Sequence, residues 1–142
     1  MTGGALNAFA TGIGSSDLAA TMICGRIWLK VPQTIKVVLD GQTAPGVFPK
    51  DIALALARIL GADGAAYQAI EFVGPGAAKM DLDDRLVLSN MSVEMGAKAG
   101  IFMVMIGGSR VLGSRARRPG GARAGRGRRL VATLPLLVRG AQ

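Results

Sequence analysis

The chain has 142 residues, a formal net charge of +8 and no histidine, and its length accommodates one ordinary domain. Half of its residues are hydrophobic, which excludes global disorder, and the lack of histidine excludes histidine-based acid–base catalysis and histidine metal ligation within the chain. The single cysteine excludes an internal disulfide and cannot by itself hold an iron–sulfur cluster.

The positive charge is confined to one part of the chain. Residues 1–103 carry eight lysines and arginines against nine acids, whereas residues 104–142 carry nine arginines and no acid. The sequence therefore predicts two parts, a nearly neutral folded body over residues 1–103 and a basic low-complexity tail over residues 104–142. Within the tail, residues 107–129 are mainly Gly, Arg, Ala, Ser and Pro, a composition that predicts disorder.

The first part of the body predicts one helix followed by two strands. Ser15 and Asp17 are typical of a helix start, because a hydroxyl can cap it and an acid favours its positive first turn, and Gly25 is typical of a helix end. Two apolar segments then predict strands, the second by the alternation of its apolar residues. These strands are residues 27–31 and residues 34–40.

The second part of the body predicts two more helices with strands after them. Pro49 suits the first position of a helix because its missing N–H has no partner there, and an apolar stripe continues to Leu60, just before Gly61. The further elements are a strand over residues 69–73, a helix from Asp83 or Asp84 to about Ala99 that ends at Gly100, and a strand over residues 101–106. Alternating strands and helices predict a layered α/β architecture.

Individual side chains in the body are interpreted mainly as structural. Trp28 and Phe72 are predicted to lie in the core, and Cys24 is predicted to be a buried small hydrophobe rather than a ligand. Gly12 and Gly14 form a Gly-x-Gly pattern without the third glycine of a dinucleotide-binding fingerprint, so they predict a tight turn. No metal site is predicted.

Several segments, in order, resemble the aconitase superfamily. They read GALNAFATGIGSSD at residues 4–17, WLKVP at residues 28–32, EFVGPG at residues 71–76 and NMSVEMGAKAGIF at residues 90–102. The resemblance covers about residues 3–102 and is strongest to the branch of 3-isopropylmalate dehydratase large subunits, with the homoaconitases nearby. It implies that the body is a fragment of a layered α/β/α domain of the aconitase type.

The resemblance also implies an activity, a cofactor and partners. Its members are hydro-lyases that move water between adjacent carbons of a hydroxy di- or tricarboxylic acid, in this branch for leucine biosynthesis. A 4Fe-4S cluster, with one iron that lacks a cysteine ligand, acts as the Lewis acid, and a small dehydratase subunit completes the enzyme. The three cluster cysteines and the Asp-Ser-His-Thr motif of the family have no counterpart here. We therefore expect an internal segment of a large subunit that is inactive alone.

Two residues match functional positions of the family. Glu94 matches the active-site glutamate of the pattern Asn-Met-x-x-Glu-x-Gly-Ala, which contacts the substrate hydroxyl or water near the open iron, and Asn90 matches the asparagine beside the cluster. A spacing of four residues would place both on one face of a helix. The same spacing also allows a structural interpretation, a surface ion pair between Glu94 and Lys98.

The arginine-rich tail is open to two interpretations. It can be a nucleic-acid-binding arm that contacts phosphates by charge, although it lacks interleaved aromatic residues. It can also be translated out of frame from GC-rich DNA, because lysine is absent from it and the resemblance stops at Met103. These two changes favour the second interpretation, and nucleic acid is not the expected partner. No targeting or membrane segment is predicted, so the expected location is cytoplasmic.

Overall fold

The computed structural model describes residues 1–103 and 130–135. In chain order the elements are a first 3-10 helix (Thr2–Leu6), α1 (Ser15–Cys24), β1 (Gln33–Asp40), α2 (Pro49–Leu60), β2 (Gln68–Val73), α3 (Pro75–Lys79), α4 (Leu82–Met91), a second 3-10 helix (Ser92–Met95), β3 (Ala99–Phe102) and β4 (Leu130–Pro135). Over this part of the chain, no helix has the length and apolar character needed to cross a bilayer.

The four strands form one parallel sheet in the order β3-β2-β1-β4. Ile35 in β1 pairs with Ile70 in β2, and Ile70 pairs with Gly100 in β3. On its other side Ile35 pairs with Leu130 in β4. Parallel strands need crossover connections, and the helices between β1, β2 and β3 supply them. The α/β class expected from the sequence is confirmed.

Strand β1 and helix α2 build the centre of the core as the sequence predicted. Ile35, Val37 and Leu39 of β1 are fully buried, while the residues between them are half-buried. Helix α2 has the predicted bounds, and its apolar stripe buries Ile52 and Leu56 against the same cluster. Local periodicity was sufficient here because each element presents one apolar face to the core.

Aromatic packing fixes the neighbouring strands β2 and β3. The rings of Phe72 and Phe102 stack with their centroids 4.8 Å apart and are both buried, which confirms the core position predicted for Phe72. The Arg85 guanidinium lies 5.8 Å from the centroid of the Phe102 ring, and its Nε donates a 3.0 Å hydrogen bond to the carbonyl of Met80. Helix α4 is thereby held against the end of β3.

The segment after α1 differs from its prediction. Residues 27–31 form no strand, and Trp28 and Cys24, which were predicted to be buried, are both exposed. An apolar run becomes a strand only when it pairs with a neighbour, and the described strands pair only with one another. Helix α1 itself has the predicted start and end, with Gly25 in the left-handed conformation at φ 67°.

The helix predicted from Asp83 or Asp84 to about Ala99 is also corrected. Helix α4 ends at Met91, a 3-10 helix follows, and Gly96 turns the chain with φ 79°. Gly100, predicted to end a helix, lies inside β3. The short helix α3 was not predicted. The strand expected over residues 101–106 is present to Phe102, and residues 104–106 lie outside the described part.

Of the predicted tail, only Leu130–Pro135 is described, as the edge strand β4. It pairs in parallel with β1 over six residues. The disorder predicted for residues 107–129 concerns a range that the structure does not describe. The division of the chain at residue 103 stays a prediction.

Candidate active site

The two family-matched residues flank the junction between helix α4 and the second 3-10 helix. Asn90 is the penultimate residue of α4, and Glu94 is the third residue of the 3-10 helix. Both side chains are exposed. They therefore do not share one continuous α-helical face, which corrects the geometry inferred from their spacing, although both remain on the same turn of the chain.

Two buried serines lie at the point where the α-helix ends. Ser89 and Ser92 are the only polar residues buried among those with described side chains. The Ser92 hydroxyl donates to the carbonyl of Leu88 at 2.9 Å, and the Ser89 hydroxyl donates to the carbonyl of Gly100. A serine hydroxyl that bonds to the carbonyl four residues earlier, as that of Ser92 does, weakens and bends a helix, whereas the Ser89 bond crosses to β3. The turn that carries Asn90 and Glu94 is thus anchored to β3 from its inner side.

Close packing of glycine completes this anchor. A Cβ added at Gly100 would overlap the Ser92 hydroxyl and lie 3.1 Å from the carbonyl oxygen of Ser89. A Cβ added at Gly4, in the first 3-10 helix, would overlap the carbonyl oxygen of Gly100. Three segments therefore meet at backbone distance beneath the candidate site, and only glycine permits that approach.

The backbone after Glu94 is held by residues at the start of β2. The Gly96 carbonyl accepts a 3.2 Å hydrogen bond from the N–H of Tyr67, and the N–H of Lys98 donates to the carbonyl of Gln68 at 2.8 Å. Tyr67 adopts φ 55°, an uncommon left-handed conformation for a bulky residue. Such local strain persists only where surrounding contacts enforce it, so these hydrogen bonds position the start of β3.

Lys98 is placed over an aromatic ring. Its ammonium nitrogen lies 5.0 Å from the centroid of the Tyr67 ring, within cation–π distance. The two residues border a shallow cavity of about 190 Å³ whose other wall includes Gly12, Gly14 and Trp28. Gly14 has extended backbone at the N-cap of α1 rather than the predicted tight turn. This cavity and the turn of Glu94 both lie at the amino ends of the strands.

A second cavity lies at the opposite, carboxyl ends of β1 and β2. It encloses about 350 Å³ and includes Gln42, Thr43, Lys79 and Asp84 in its lining. Sequence analysis did not propose it, although a Gly- and Pro-containing loop directly after an alternating strand is a recognisable signal. Ligands of open parallel sheets usually bind at this edge. Because it lies at the opposite ends of the strands, the cavity is separate from the turn of Asn90 and Glu94.

Comparison with known proteins decides the family. A family model described as the aconitase family (aconitate hydratase) matches residues 1–117. This chain belongs to the aconitase family. The match includes the residues predicted to resemble the family and extends fourteen positions past Met103.

Curated proteins similar to this chain include large subunits of 3-isopropylmalate dehydratase. The 3-isopropylmalate dehydratase large subunit 1 of Thermotoga maritima is 55% identical over 100 residues, which are 70% of this chain and 24% of that protein. The large subunit of Sulfurovum sp. is 54% identical over 103 residues, and large subunit 1 of Methanopyrus kandleri is 49% identical over 100 residues. The two matched segments are 72% and 70% of this chain, respectively, and each is 24% of the relative. The chain thus spans about a quarter of these relatives.

The residues of this aconitase-family chain do not fit the iron–sulfur cluster of the family. Its single cysteine, Cys24, is exposed and is the last residue of α1. Residues 26–32 separate it in sequence from the first strand of the sheet. Within residues 1–103, no three His, Cys, Asp or Glu side chains come together as metal ligands. Iron–sulfur clusters are held by several cysteine thiolates, and the chain has one cysteine. No catalytic step can therefore be assigned to a cluster held by this chain.

Proposed function

We propose that the chain carries one part of the active site of an iron–sulfur hydro-lyase that acts on hydroxy di- or tricarboxylic acids. The relatives compared above are large subunits of 3-isopropylmalate dehydratase. The observation that supports this proposal is the exposed Glu94 on an anchored turn, in a chain about half identical to relatives with that name. The aconitase-type α/β/α domain is proposed as its full architecture.

Glu94 has the chemistry that this reaction requires. Elimination of water breaks a C–H bond and the adjacent C–O bond, forms a C=C bond and releases the hydroxyl as water. The Glu94 side chain can accept a hydrogen bond from the departing hydroxyl as a carboxylate, or donate a proton to it as a carboxylic acid. Asn90 can orient the same oxygen, because its amide both donates and accepts hydrogen bonds. The base that takes the carbon-bound proton is not assigned to a residue of this chain.

The cluster and the small subunit belong to the proposal for the whole enzyme. Because the chain has one cysteine and spans 24% of the Thermotoga maritima protein, the cluster ligands would come from polypeptide outside it. The substrate carboxylates would likewise need cationic partners from elsewhere or from Lys98. We expect the isolated chain neither to retain a 4Fe-4S cluster nor to turn over. Turnover of 3-isopropylmalate by the chain alone, after anaerobic reconstitution with iron and sulfide, would refute this expectation.

A graft tests the roles of Glu94 and Asn90 directly. Residues 3–102 replace the matched segment of the Thermotoga maritima large subunit, which is assayed with its small subunit for 3-isopropylmalate dehydration. We expect turnover, and a fall of about 10²-fold or more in kcat for Glu94→Gln with a smaller change in KM. Asp63→Asn changes a carboxyl that is also exposed but lies before β2, and it should leave kcat unchanged.

Two results would contradict the proposal. The first is a graft in which Glu94→Gln retains the kcat of its parent. The second is a graft that binds its cluster, judged by the visible absorption spectrum, yet shows no turnover. The arginine-rich range lies outside the described residues, so no observation of the structure favours the nucleic-acid interpretation, and no second function is proposed.

A further inference from the structure

The hydroxyl of Ser89 joins the two ends of the stretch that carries both candidate site residues. Ser89 lies in α4, and its hydroxyl donates to the carbonyl of Gly100 in β3, 11 positions later. The residues between them, 90–99, are named the closed segment here, and they include Asn90 and Glu94. Among the hydrogen bonds between described residues, only that of Ser89 joins α4 directly to β3.

The Ser89 hydroxyl has two acceptors within reach, and only one of them lies across the closed segment. A serine hydroxyl carries a single proton to donate. The carbonyl oxygen of Met1 lies 3.0 Å from the Ser89 oxygen, farther away than that of Gly100. The Met1 carbonyl also accepts the N–H of Gly4 at 3.1 Å, so it keeps a partner without Ser89. The proton of Ser89 is therefore assigned to Gly100.

Backbone packs closely around this hydroxyl. Ser89 is fully buried, and a Cβ added at Gly4 would lie 2.5 Å from its hydroxyl oxygen and overlap the carbonyl oxygen of Gly100. Removal of the hydroxyl would leave a buried carbonyl without this donor, which is unfavourable. The carbonyl can gain a donor from water only if α4 and β3 separate, and their separation displaces the closed segment between them.

Glu94 depends on this hydrogen bond more than Asn90 does. Asn90 is still within α4, whose own backbone hydrogen bonds hold it whether or not Ser89 donates to Gly100. Glu94 lies beyond the end of α4, on the second 3-10 helix and inside the closed segment. Its position is therefore set by how the two ends of that segment are held.

We propose that Ser89 is a positioning residue of the candidate hydro-lyase site and that it acts through Glu94. Its hydroxyl holds the two ends of the closed segment together, which keeps the Glu94 carboxyl in place beside the departing hydroxyl of the substrate. Ser89 is buried and does not contact the substrate itself. This inference rests on the proposed function, because the placement of Glu94 affects turnover only if Glu94 takes part in it.

Hydrogen–deuterium exchange of the complete 142-residue chain tests the structural step without turnover. Ser89→Ala removes the hydroxyl and keeps the Cβ. Amide exchange in peptides from the closed segment should become faster by at least about tenfold, whereas exchange in α2 should change little, because only a local opening is favoured. Ile52→Val is the matched control, since it trims a buried side chain of α2 and should not accelerate exchange in the closed segment selectively.

Kinetics in the Thermotoga maritima graft test the functional step. Ser89→Ala should lower kcat for 3-isopropylmalate by about tenfold or more and change KM by less than about twofold, because a small displacement of a reacting group slows the chemical step. Ser89→Cys keeps a weak S–H donor on a side chain of similar shape, so it should recover part of the loss. Ile52→Val should keep the kcat of the parent graft.

A double variant separates positioning from a general loss of stability. If Ser89 acts through Glu94, Ser89→Ala should slow the Glu94→Gln graft by less than about twofold, because the group that it positions is already lost. Independent effects would instead multiply, to a kcat about 10³-fold below that of the parent graft.

Four results would overturn the proposal. They are unchanged exchange of the closed segment in Ser89→Ala, equal acceleration of exchange in every element, a parental kcat for Ser89→Ala, and multiplied losses in the double variant. A parental kcat for Glu94→Gln would refute the proposed function and this inference with it, whereas unchanged exchange in Ser89→Ala would refute this inference alone.

Discussion

Replacement of Gly100 by alanine is the most sensitive test of the anchor beneath the candidate site. Gly100 lies inside β3 and is buried. The new Cβ would overlap the Ser92 hydroxyl, lie 2.8 Å from the Ser92 Cβ and lie 3.1 Å from the Ser89 carbonyl oxygen. The first of these atoms can move only by giving up its 2.9 Å hydrogen bond to the Leu88 carbonyl, and the others belong to the turn itself.

The expected cost follows from these contacts. Overpacking of a dense core costs about 1–3 kcal/mol. Displacement of a buried hydroxyl from its acceptor costs about a further 1 kcal/mol. Gly100→Ala should therefore lower the free energy of unfolding by about 2–4 kcal/mol. A large fraction of the stability of a small domain would be lost.

Urea denaturation measures this change when it is followed by far-ultraviolet circular dichroism. Fluorescence of Trp28 is a poor probe, because that side chain is already exposed in the folded chain. Gly12→Ala is the matched control, since no atom lies within 4 Å of the added Cβ, and it should change the free energy of unfolding by less than about 1 kcal/mol. Equal midpoints for Gly100→Ala and the unaltered chain would refute the close approach of β3 to the serines.

Two further predictions concern helix α2. Leu56→Ala removes a fully buried side chain and should lower the free energy of unfolding by about 2–5 kcal/mol. Leu54→Ala, on the exposed face, should lower it by less than about 1 kcal/mol. Similar losses for both variants would show that the helix faces are misassigned. Asp51→Ala removes the carboxylate that accepts the N–H of Phe48 at 2.8 Å, and it should cost about 0.5–2 kcal/mol in the same urea titration. Lys50→Ala is the control for the latter, and a loss as large as that of Asp51→Ala would contradict the capping role.

The sequence was most informative where structure depends on nearby residues. Strand β1 and helix α2 could be predicted almost to the residue, because Pro49, Asp51 and the apolar periodicity act within one element. The error at Gly100 has a different origin. Glycine usually marks a helix end, but here it permits contact with Ser92, a partner known only once the chain has folded. Tertiary contacts of this kind are not encoded in local pattern.

The error at residues 27–31 also arises because local pattern does not encode tertiary contacts, but here the expected contact is missing among the described residues. Ile27, Trp28 and Val31 have high strand propensity, yet that propensity needs a neighbouring strand and a covering layer. Among the described residues neither is present, so the run stays irregular and exposed. The strand and the buried position of Trp28 were therefore predicted wrongly, since Trp28 is 81% exposed.

The candidate site combines both kinds of information. Asn90 and Glu94 were found from a sequence pattern, but their relative placement depends on where α4 ends. A 3-10 helix turns about 120° and rises about 2.0 Å per residue, compared with about 100° and 1.5 Å in an α-helix. Over the residues from Met91 to Glu94 this difference amounts to roughly 60° of rotation and 1.5 Å of rise. Ser92 and Gly100 pack against each other beneath this change of helix type, so their contact contributes to the placement of Glu94.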